Sequence, residues 1–354
     1  PMSRLGRKLR ITGKGRCNVT NNCTVREFMS HVPCNPRFLY SALTAFPPEA
    51  VMAFFESLGV PLKTERGSRV FPVSDNANDI ADAMESWIRS QGVRHMKNRI
   101  LSIERDENGS VRAVRTDRGE IPCRAAIICT GGLSDPGTGS TGDGFAFARS
   151  AGHTVTPLRP TLVPLESPDS FCEELAGFAP RNVTLTVLED GKSIYHEQGE
   201  MLFAHFGVTG PLVLSASAHM RRFGQSEYML LIDYKPALDE EQLDARILRD
   251  FSKYQNRDII NALGELAPRS LIPVLLRLAG IPADTKVHSV TRQQRTELLR
   301  VLKAFPIRVS GTRPVAEAIV TGGGVDVREI NPRTMASKLV PGLYFAGEVL
   351  DVDA

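Results

Sequence analysis

A short, unbroken apolar run in this 354-residue chain leads directly into a loop rich in glycine. The run covers residues 125–129, with the sequence AAIIC, and is followed by Thr130-Gly131-Gly132. Six glycines lie between Gly131 and Gly144, and a helical pattern follows at 145–150. An apolar run of this length is typical of a strand buried on both faces, as in a parallel sheet. The order of strand, glycine-rich loop and helix therefore predicts an α/β fold whose loop brings its backbone close to a ligand.

Two further segments extend this prediction. Alternating runs at 100–105 and 111–116 flank a turn that contains Asn108-Gly109, a strong signal for a β-hairpin. Near the other end of the chain, residues 342–346 form a second short apolar run that leads into Gly347-Glu348. We expect this run to be another buried strand with a ligand-binding turn behind it.

The middle of the chain has a different periodicity. Residues of about 158–235 alternate as β-strands, whereas about 236–305 have a helical period, with a capping box at Thr291 and Gln294. In the helical part we expect one apolar face to be shared by Leu243, Ile247, Leu248 and Phe251. We interpret this as a nested insertion. An α/β domain at 1–157 and 318–354 is interrupted by a mostly-β domain at 158–235 and 306–317. That domain is itself interrupted by a helical insertion at 236–305.

Composition excludes several classes of protein. The balance of 43 basic and 40 acidic side chains gives a net charge of +3, too small to indicate nucleic-acid binding by itself. No apolar run approaches the ~20 residues that span a bilayer, and no signal peptide opens the chain. The six cysteines form no CxxC pair, and the histidines form no HExxH motif. We therefore expect reduced thiols, no metal and a cytoplasmic protein.

Four constellations are candidates for chemistry. The basic, glycine-containing segment 6–21 suits a diphosphate, although the pattern alone favours a solvated arm. Thr130-Gly131-Gly132 suits a cofactor loop or, equally, an ordinary surface loop. Glu348 suits sugar or ribityl hydroxyls, unless it only caps a turn. His205 suits an acid or base at a reactive ring, but a structural histidine is favoured. Cys17 has basic surroundings and no evident base partner.

Together these segments resemble the FAD-binding flavoproteins of the aminoacetone-oxidase type, a family that includes bile-acid ene reductases. The resemblance runs across nearly the whole chain, and GRCN and LYFAGEVLDVD are its most specific motifs. The matching stretches are LGRKLRITGKGRCNVTN at 5–21, IICTGGLSDPGTGSTGDG at 127–144, GEMLFAHFGVTGP at 199–211 and TGGGVDVREINPRTMASKLVPGLYFAGEVLDVD at 321–353. The resemblance implies an FAD/NAD(P)-binding Rossmann-like α/β domain with the two nested insertions described above.

The resemblance also implies a set of site residues. Residues of the basic segment would lie near the FAD diphosphate and the flavin, and Ile100 would meet the adenine through its backbone. Thr130-Gly131-Gly132 would line the adenosine side, and Glu348 would meet the ribityl chain. The candidate cofactor-binding residues are Arg7, Lys8, Gly13, Gly15, Arg16, Cys17, Asn18, Ile100, Thr130, Gly131, Gly132, Gly347 and Glu348. His205 is the one candidate catalytic residue.

This sequence departs from the family pattern in several places. The family begins with a strand, a GxGxxG turn and an acidic residue that lie upstream of position 1, and it continues with a glycine-rich stretch after Asp353. Lys14 stands where the family usually has glycine, and Ala204 where it usually has threonine. We therefore expect a chain cut at both ends, incomplete in its Rossmann-like domain, that binds FAD weakly or not at all, whereas its parent protein binds it tightly.

The expected function is FAD-dependent oxidoreduction by hydride transfer with a small organic substrate. Amine oxidation and NAD(P)H-dependent ene reduction both stay open, and NAD(P)H would visit the flavin only transiently, because no second GxGxxG motif is present. Two alternatives are a cofactor-free, non-catalytic remnant and a nucleic-acid-associated protein that uses Arg94, Lys97 and Arg99 with the basic N-terminal arm. We expect neither a nucleic-acid nor a membrane partner, and the sequence does not predict the oligomeric state.

Overall fold

The computed structural model describes residues 4–353. The helices are α1 (Arg7–Gly15), α2 (Val25–Ser30), α3 (Pro36–Ala45), α4 (Pro48–Ser57), α5 (Ala77–Ser90), α6 (Asp143–Ser150), α7 (Phe171–Glu174), α8 (Pro211–Ser217), α9 (Glu240–Lys253), α10 (Ile259–Ala262), α11 (Ile272–Leu278) and α12 (Arg292–Lys303). The strands of the first half are β1 (Thr20–Asn21), β2 (Leu62–Thr64), β3 (Arg69–Pro72), β4 (Ile100–Arg105), β5 (Val111–Thr116), β6 (Gly119–Pro122), β7 (Ala126–Ile128) and β8 (Arg159–Thr161). Those of the second half are β9 (Leu165–Glu166), β10 (Val183–Glu189), β11 (Lys192–Gly199), β12 (Leu202–Ala204), β13 (Gly207–Thr209), β14 (Tyr228–Asp233), β15 (Phe305–Val309), β16 (Gly311–Thr312), β17 (Val320–Gly322) and β18 (Leu343–Phe345).

The chain forms two compact units. The first contains the described residues up to Thr161 together with those from Val315 onward, and the second runs from Leu162 to Pro314. The first unit contains α1 to α6, the predicted hairpin of β4 and β5, and the parallel pair of β7 and β18. The division of the chain into three nested parts stays a prediction.

The strand β7 is less buried than its sequence suggests. It pairs in parallel with β18, with Ile127 opposite Tyr344, and the two form a two-stranded sheet. Ile128 is buried, but the Ile127 side chain is 64% exposed. The expectation of burial on both faces is therefore wrong, because no other part of residues 4–353 covers the face of β7 that carries Ile127.

The second unit has a single core shared by strands and helices. A four-stranded antiparallel sheet has the order β11-β10-β14-β15, and a second one has the order β12-β13-β9-β16. The inward residues of α9 and α12, such as Leu243 and Leu302, are fully buried in the same hydrophobic cluster as Leu185 and Leu230 of the first sheet. Leu248 was expected on the buried face of α9, but it is 42% exposed, because it lies outside the stripe formed by Leu243, Ile247 and Phe251.

Helix starts follow their local sequence. The predicted capping box of Thr291 and Gln294 begins α12, and equivalent boxes begin α2 and α9. Among residues 4–353, no single helix has the length and apolarity of a bilayer span, although α3 and α4, bent by 44°, meet those criteria as a pair. All six cysteines are free, as expected.

Candidate cofactor site

The glycine-rich loop behind β7 is packed tightly by the protein itself. Gly131 has a φ of +74°, in the left-handed region that favours glycine. Gly132 is buried, and a Cβ built on it would lie 2.3 Å from Oγ1 of Thr321 and 2.9 Å from Oε1 of Glu348. The loop therefore needs glycine at position 132 to approach these two side chains, which come from the other end of the sequence.

Glu348 follows β18 and lies at the centre of a hydrogen-bond network. Its Oε1 accepts from the Thr321 amide and from the Ser134 hydroxyl, each at 2.8 Å. Its Oε2 accepts from Nζ of Lys8 at 2.9 Å, and the same ammonium group donates to Oγ of Ser134 at 2.7 Å. Burial raises the pKa of the Glu348 carboxyl, but Lys8, the Thr321 amide and Ser134 outweigh burial, and the pKa lies below its ordinary value. Glu348 is therefore an ionised acceptor at neutral pH.

This carboxylate lines a cavity of about 620 Å³ in the first unit. Lys8 and Thr12 also line it, whereas most of the remaining lining is apolar, including Leu9, Leu39 and Ile319. Ligand pockets commonly have this volume and this combination of an apolar body with a few polar groups. The cavity therefore suits a flat apolar ring that carries a hydroxylated chain, which describes the flavin and ribityl parts of FAD.

The predicted site residues divide between this cavity and other places. Lys8, Gly347 and Glu348 line the cavity. The glycine-rich loop lies beside these residues, since both Gly131 and Gly132 approach the Glu348 carboxylate. The other candidates in the first unit lie outside the cavity lining, and their cofactor roles stay predictions. They are Arg7, Gly13, Gly15, Arg16, Cys17, Asn18, Ile100 and Thr130.

Arg16 contacts two acidic side chains and an aromatic ring. Its guanidinium bonds to Glu65 at 2.5 Å and to Asp75 at 2.8 Å, and its Cζ lies 4.1 Å from the centre of the Phe71 ring. These contacts place the positive charge against two carboxylates. Cys17, the next residue, is fully buried, and burial raises the pKa of its thiol. A reactive thiolate is therefore not favoured there.

His205 belongs to the second unit. It lies in the turn between β12 and β13, and its side chain is exposed. Its ring centre is 5.1 Å from that of Phe206 in an edge-on arrangement. A catalytic role for His205 stays a prediction.

Two important residues were missed by sequence reasoning. Thr321 is 1% exposed and its Oγ1 accepts from the amides of Leu133 and Ser134 at 2.7 and 3.0 Å. Ser134 is completely buried. Both occur within glycine-rich segments, TGGLS and VTGG, where serine and threonine are usually interpreted as turn residues.

One group of potential metal ligands is present among the described residues. Sγ of Cys34 and carboxylate oxygens of Asp351 and Asp353 lie within 4.8 Å of one another. Asp353 is also paired with Arg159 and accepts from the Gly323 amide at 3.3 Å. An arginine at one of the three ligands supplies the positive charge that a metal would otherwise bring.

Comparison with known proteins gives the following matches. A family model described as "HI0933-like protein Rossmann domain" matches residues 1–354. The 3-dehydro-bile acid delta(4,6)-reductase of Clostridium scindens is 29% identical over 352 residues, which cover 99% of this chain and 85% of that protein. The ribosomal RNA dihydrouridine synthase of Escherichia coli is 30% identical over 348 residues, 98% of this chain and 83% of that protein. The ribosomal RNA dihydrouridine synthase of Haemophilus influenzae is 31% identical over 355 residues, which cover 99% of this chain and 84% of that protein.

Two solved structures resemble this chain more loosely. The open conformation of a flavocytochrome c3 fumarate reductase has a TM-score of 0.40 and 14% identity, over 99% of this chain and 65% of that one. The 3-ketosteroid-delta4-(5alpha)-dehydrogenase of Rhodococcus jostii RHA1 has a TM-score of 0.41 and 12% identity, over 97% and 83%. Similarity this weak carries no argument about function.

Proposed function

Because the chain belongs to the HI0933-like family of FAD-dependent oxidoreductases with a Rossmann fold, we propose that it reduces a carbon–carbon double bond conjugated to a carbonyl group. FAD would be held in the cavity lined by Lys8 and Glu348, and this proposal replaces the expectation that the chain binds FAD weakly or not at all. The observation that carries this placement is the Glu348 carboxylate, hydrogen-bonded to Lys8, in the lining of a mostly apolar cavity.

Each side chain has a distinct task at this site. The Glu348 carboxylate accepts hydrogen bonds from the hydroxyls of the ribityl chain, and Lys8 keeps that carboxylate ionised. The apolar lining residues would pack against the ring. When bound, FAD supplies the hydride chemistry, and the protein supplies position and electrostatics.

The type of bond is supported by the names of the relatives. A delta(4,6)-reductase of a 3-dehydro-bile acid and a dihydrouridine synthase both saturate a carbon–carbon double bond in conjugation with a carbonyl. A hydride adds to the carbon distal to the carbonyl, and a proton adds to the neighbouring carbon. The two electrons come from NAD(P)H, so each turnover consumes one NAD(P)H and one proton. Amine oxidation is the other reaction that the sequence leaves open, and no observation in this structure supports it.

We propose a small, apolar enone of the steroid type as the substrate class. A uracil base in RNA is the second candidate, because two relatives are named for that reaction. The exposed residues Arg94, Lys97 and Arg99 offer positive charge for a phosphate backbone. The two candidate substrates contain the same kind of conjugated double bond and differ in the rest of the molecule.

The test is anaerobic reoxidation of the flavin. The protein is loaded with FAD, reduced with dithionite, and mixed separately with a 3-oxo-Δ4 steroid and a ribosomal RNA fragment. A second sample, loaded with FAD but left oxidised, is mixed with a primary amine. Return of the visible flavin band with the steroid, together with a saturated product by mass spectrometry, is the expected result. Reoxidation by RNA alone would favour the second candidate. If neither accepts electrons, and the amine instead reduces the oxidised flavin, the proposed reduction is wrong.

A further inference from the structure

Thr321 connects two parts of the proposed FAD site that are far apart in sequence. Its side-chain oxygen accepts from two successive amides of the glycine-rich loop, those of Leu133 and Ser134. Its own backbone N–H donates to Oε1 of Glu348 at 2.8 Å. One residue therefore holds both the loop behind β7 and the carboxylate behind β18.

The surroundings make this connection rigid. Thr321 lies in the middle of β17, opposite Pro160 of β8, and is 1% exposed. Gly132 approaches its hydroxyl so closely that even a methyl group would not fit between them. Ser134, whose amide is held by Thr321, donates its hydroxyl to the same Glu348 oxygen. The loop and the carboxylate therefore cannot move independently while the Thr321 oxygen is present.

We infer that Thr321 is a positioning residue for FAD, acting through the glycine-rich loop and Glu348. The inference rests on the proposed function, because it assumes that FAD occupies the cavity beside Glu348. Loss of the oxygen leaves two amides of a buried segment without an acceptor, and the loop then leaves the position in which Ser134 meets Glu348. Binding of FAD must then restore that position, so its affinity falls.

Two matched variants separate the oxygen from the rest of the side chain. Thr321→Val keeps the shape and removes the oxygen, whereas Thr321→Ser keeps the oxygen and removes a methyl group. The first measurement is hydrogen exchange at the amides of Leu133 and Ser134 without FAD. The second is the dissociation constant for FAD from titration of flavin fluorescence. We expect faster exchange and binding weaker by about ten- to a hundredfold in the valine variant, and values within about threefold of wild type in the serine variant.

The outcomes distinguish this inference from the proposed function. Equal FAD affinity in wild type and Thr321→Val overturns the inference and leaves the function intact. Equal loss in the serine and valine variants also overturns it, because packing would then be responsible rather than the oxygen. If wild type binds no FAD, both are wrong; if FAD binds as expected but no enone is reduced, only the function fails. Should the valine variant not fold, Thr321→Ala, which also lacks the oxygen, replaces it.

Discussion

Nζ of Lys8 lies 2.9 Å from Oε2 of Glu348, although 340 positions separate the two residues in the sequence. Their side chains are 28% and 18% exposed, so water screens this pair only partly. Glu348 would be costly to ionise in such a place without a positive partner. Among the groups that face Glu348, Lys8 therefore contributes most to lowering the pKa of the carboxyl that lines the cavity.

The substitution Lys8→Met tests this dependence. It keeps most of the apolar stem but removes the charge, so burial then raises the pKa of Glu348 against weaker opposition from Thr321 and Ser134. We expect the pKa of Glu348 to rise and the folded protein to lose about 1–3 kcal/mol at neutral pH. A carboxyl-selective NMR titration of Glu348 and urea unfolding measure the two effects.

The matched control for that experiment is Lys8→Met combined with Glu348→Gln. Glutamine keeps the shape and cannot ionise, so the double variant should recover part of the lost stability and show no titration at this site. If the single variant has the same pKa for Glu348 as wild type, Lys8 does not maintain the ionised carboxylate.

Local signals in the sequence predicted local structure well. The hairpin of β4 and β5 has the predicted bounds because its Asn-Gly turn and its alternation are both local properties. The exposure of Ile127 was not predictable, since an apolar run does not show whether other elements cover both faces of the strand. Leu248 shows the same limit for a helix, where adjacent apolar residues cannot all face the core.

The site was predictable only where a specific motif was present. Glu348 and Lys8 were proposed as cofactor-binding residues by resemblance, and the structure brings them together. Thr321 and Ser134 were missed because the contact between them spans 187 positions and that from Ser134 to Glu348 spans 214, separations that local patterns do not encode. Arg16 was expected near a diphosphate, but the acidic partners that it contacts, at positions 65 and 75, were not apparent as partners in the sequence.

A buried histidine in the first unit is predicted to stabilise the fold. The side chain of His153 is fully buried, with Nδ1 at 2.9 Å from Oε2 of Glu329 and Nε2 at 2.8 Å from Oγ of Ser337. A carboxylate only accepts, so Nδ1 donates its proton to Glu329. We expect His153→Phe to lower the free energy of unfolding by about 2–3 kcal/mol, because both partners lose a hydrogen bond.

Urea unfolding measures this loss, and His95→Phe is the matched control. His95 is exposed outside any helix or strand, so the same exchange there should change stability by less than about 0.5 kcal/mol. Equal effects at the two positions would show that the contacts of His153 do not stabilise the protein.

Glu329 is expected to cause part of the loss of folding stability at acidic pH. Burial raises its pKa, but the hydroxyl and amide of Thr154, together with His153, outweigh burial and hold the pKa below its ordinary value. The contribution is complete above the unfolded-state pKa of about 4.3 and is lost as pH falls through the lower folded-state value. We expect Glu329→Gln to be less stable than wild type at pH 7 and to lose less stability on acidification. If the free energies of unfolding in urea of wild type and Glu329→Gln fall equally as the pH is lowered, Glu329 does not cause this loss of stability.

Two tyrosines in the second unit should respond in opposite ways to loss of their hydroxyl. The Tyr234 oxygen is buried with no hydrogen-bond partner among residues 4–353, and burial raises the pKa of this phenol. The Tyr228 oxygen accepts from the Arg222 amide at 2.9 Å and donates to Glu189 at 3.1 Å.

Because an unsatisfied buried hydroxyl opposes folding, Tyr234→Phe should leave stability unchanged or raise it by up to about 1 kcal/mol. Tyr228→Phe should lower stability by about 1–2 kcal/mol in the same urea measurement, since it removes two hydrogen bonds. A loss as large in Tyr234→Phe would show that its hydroxyl does have a partner, such as an ordered water.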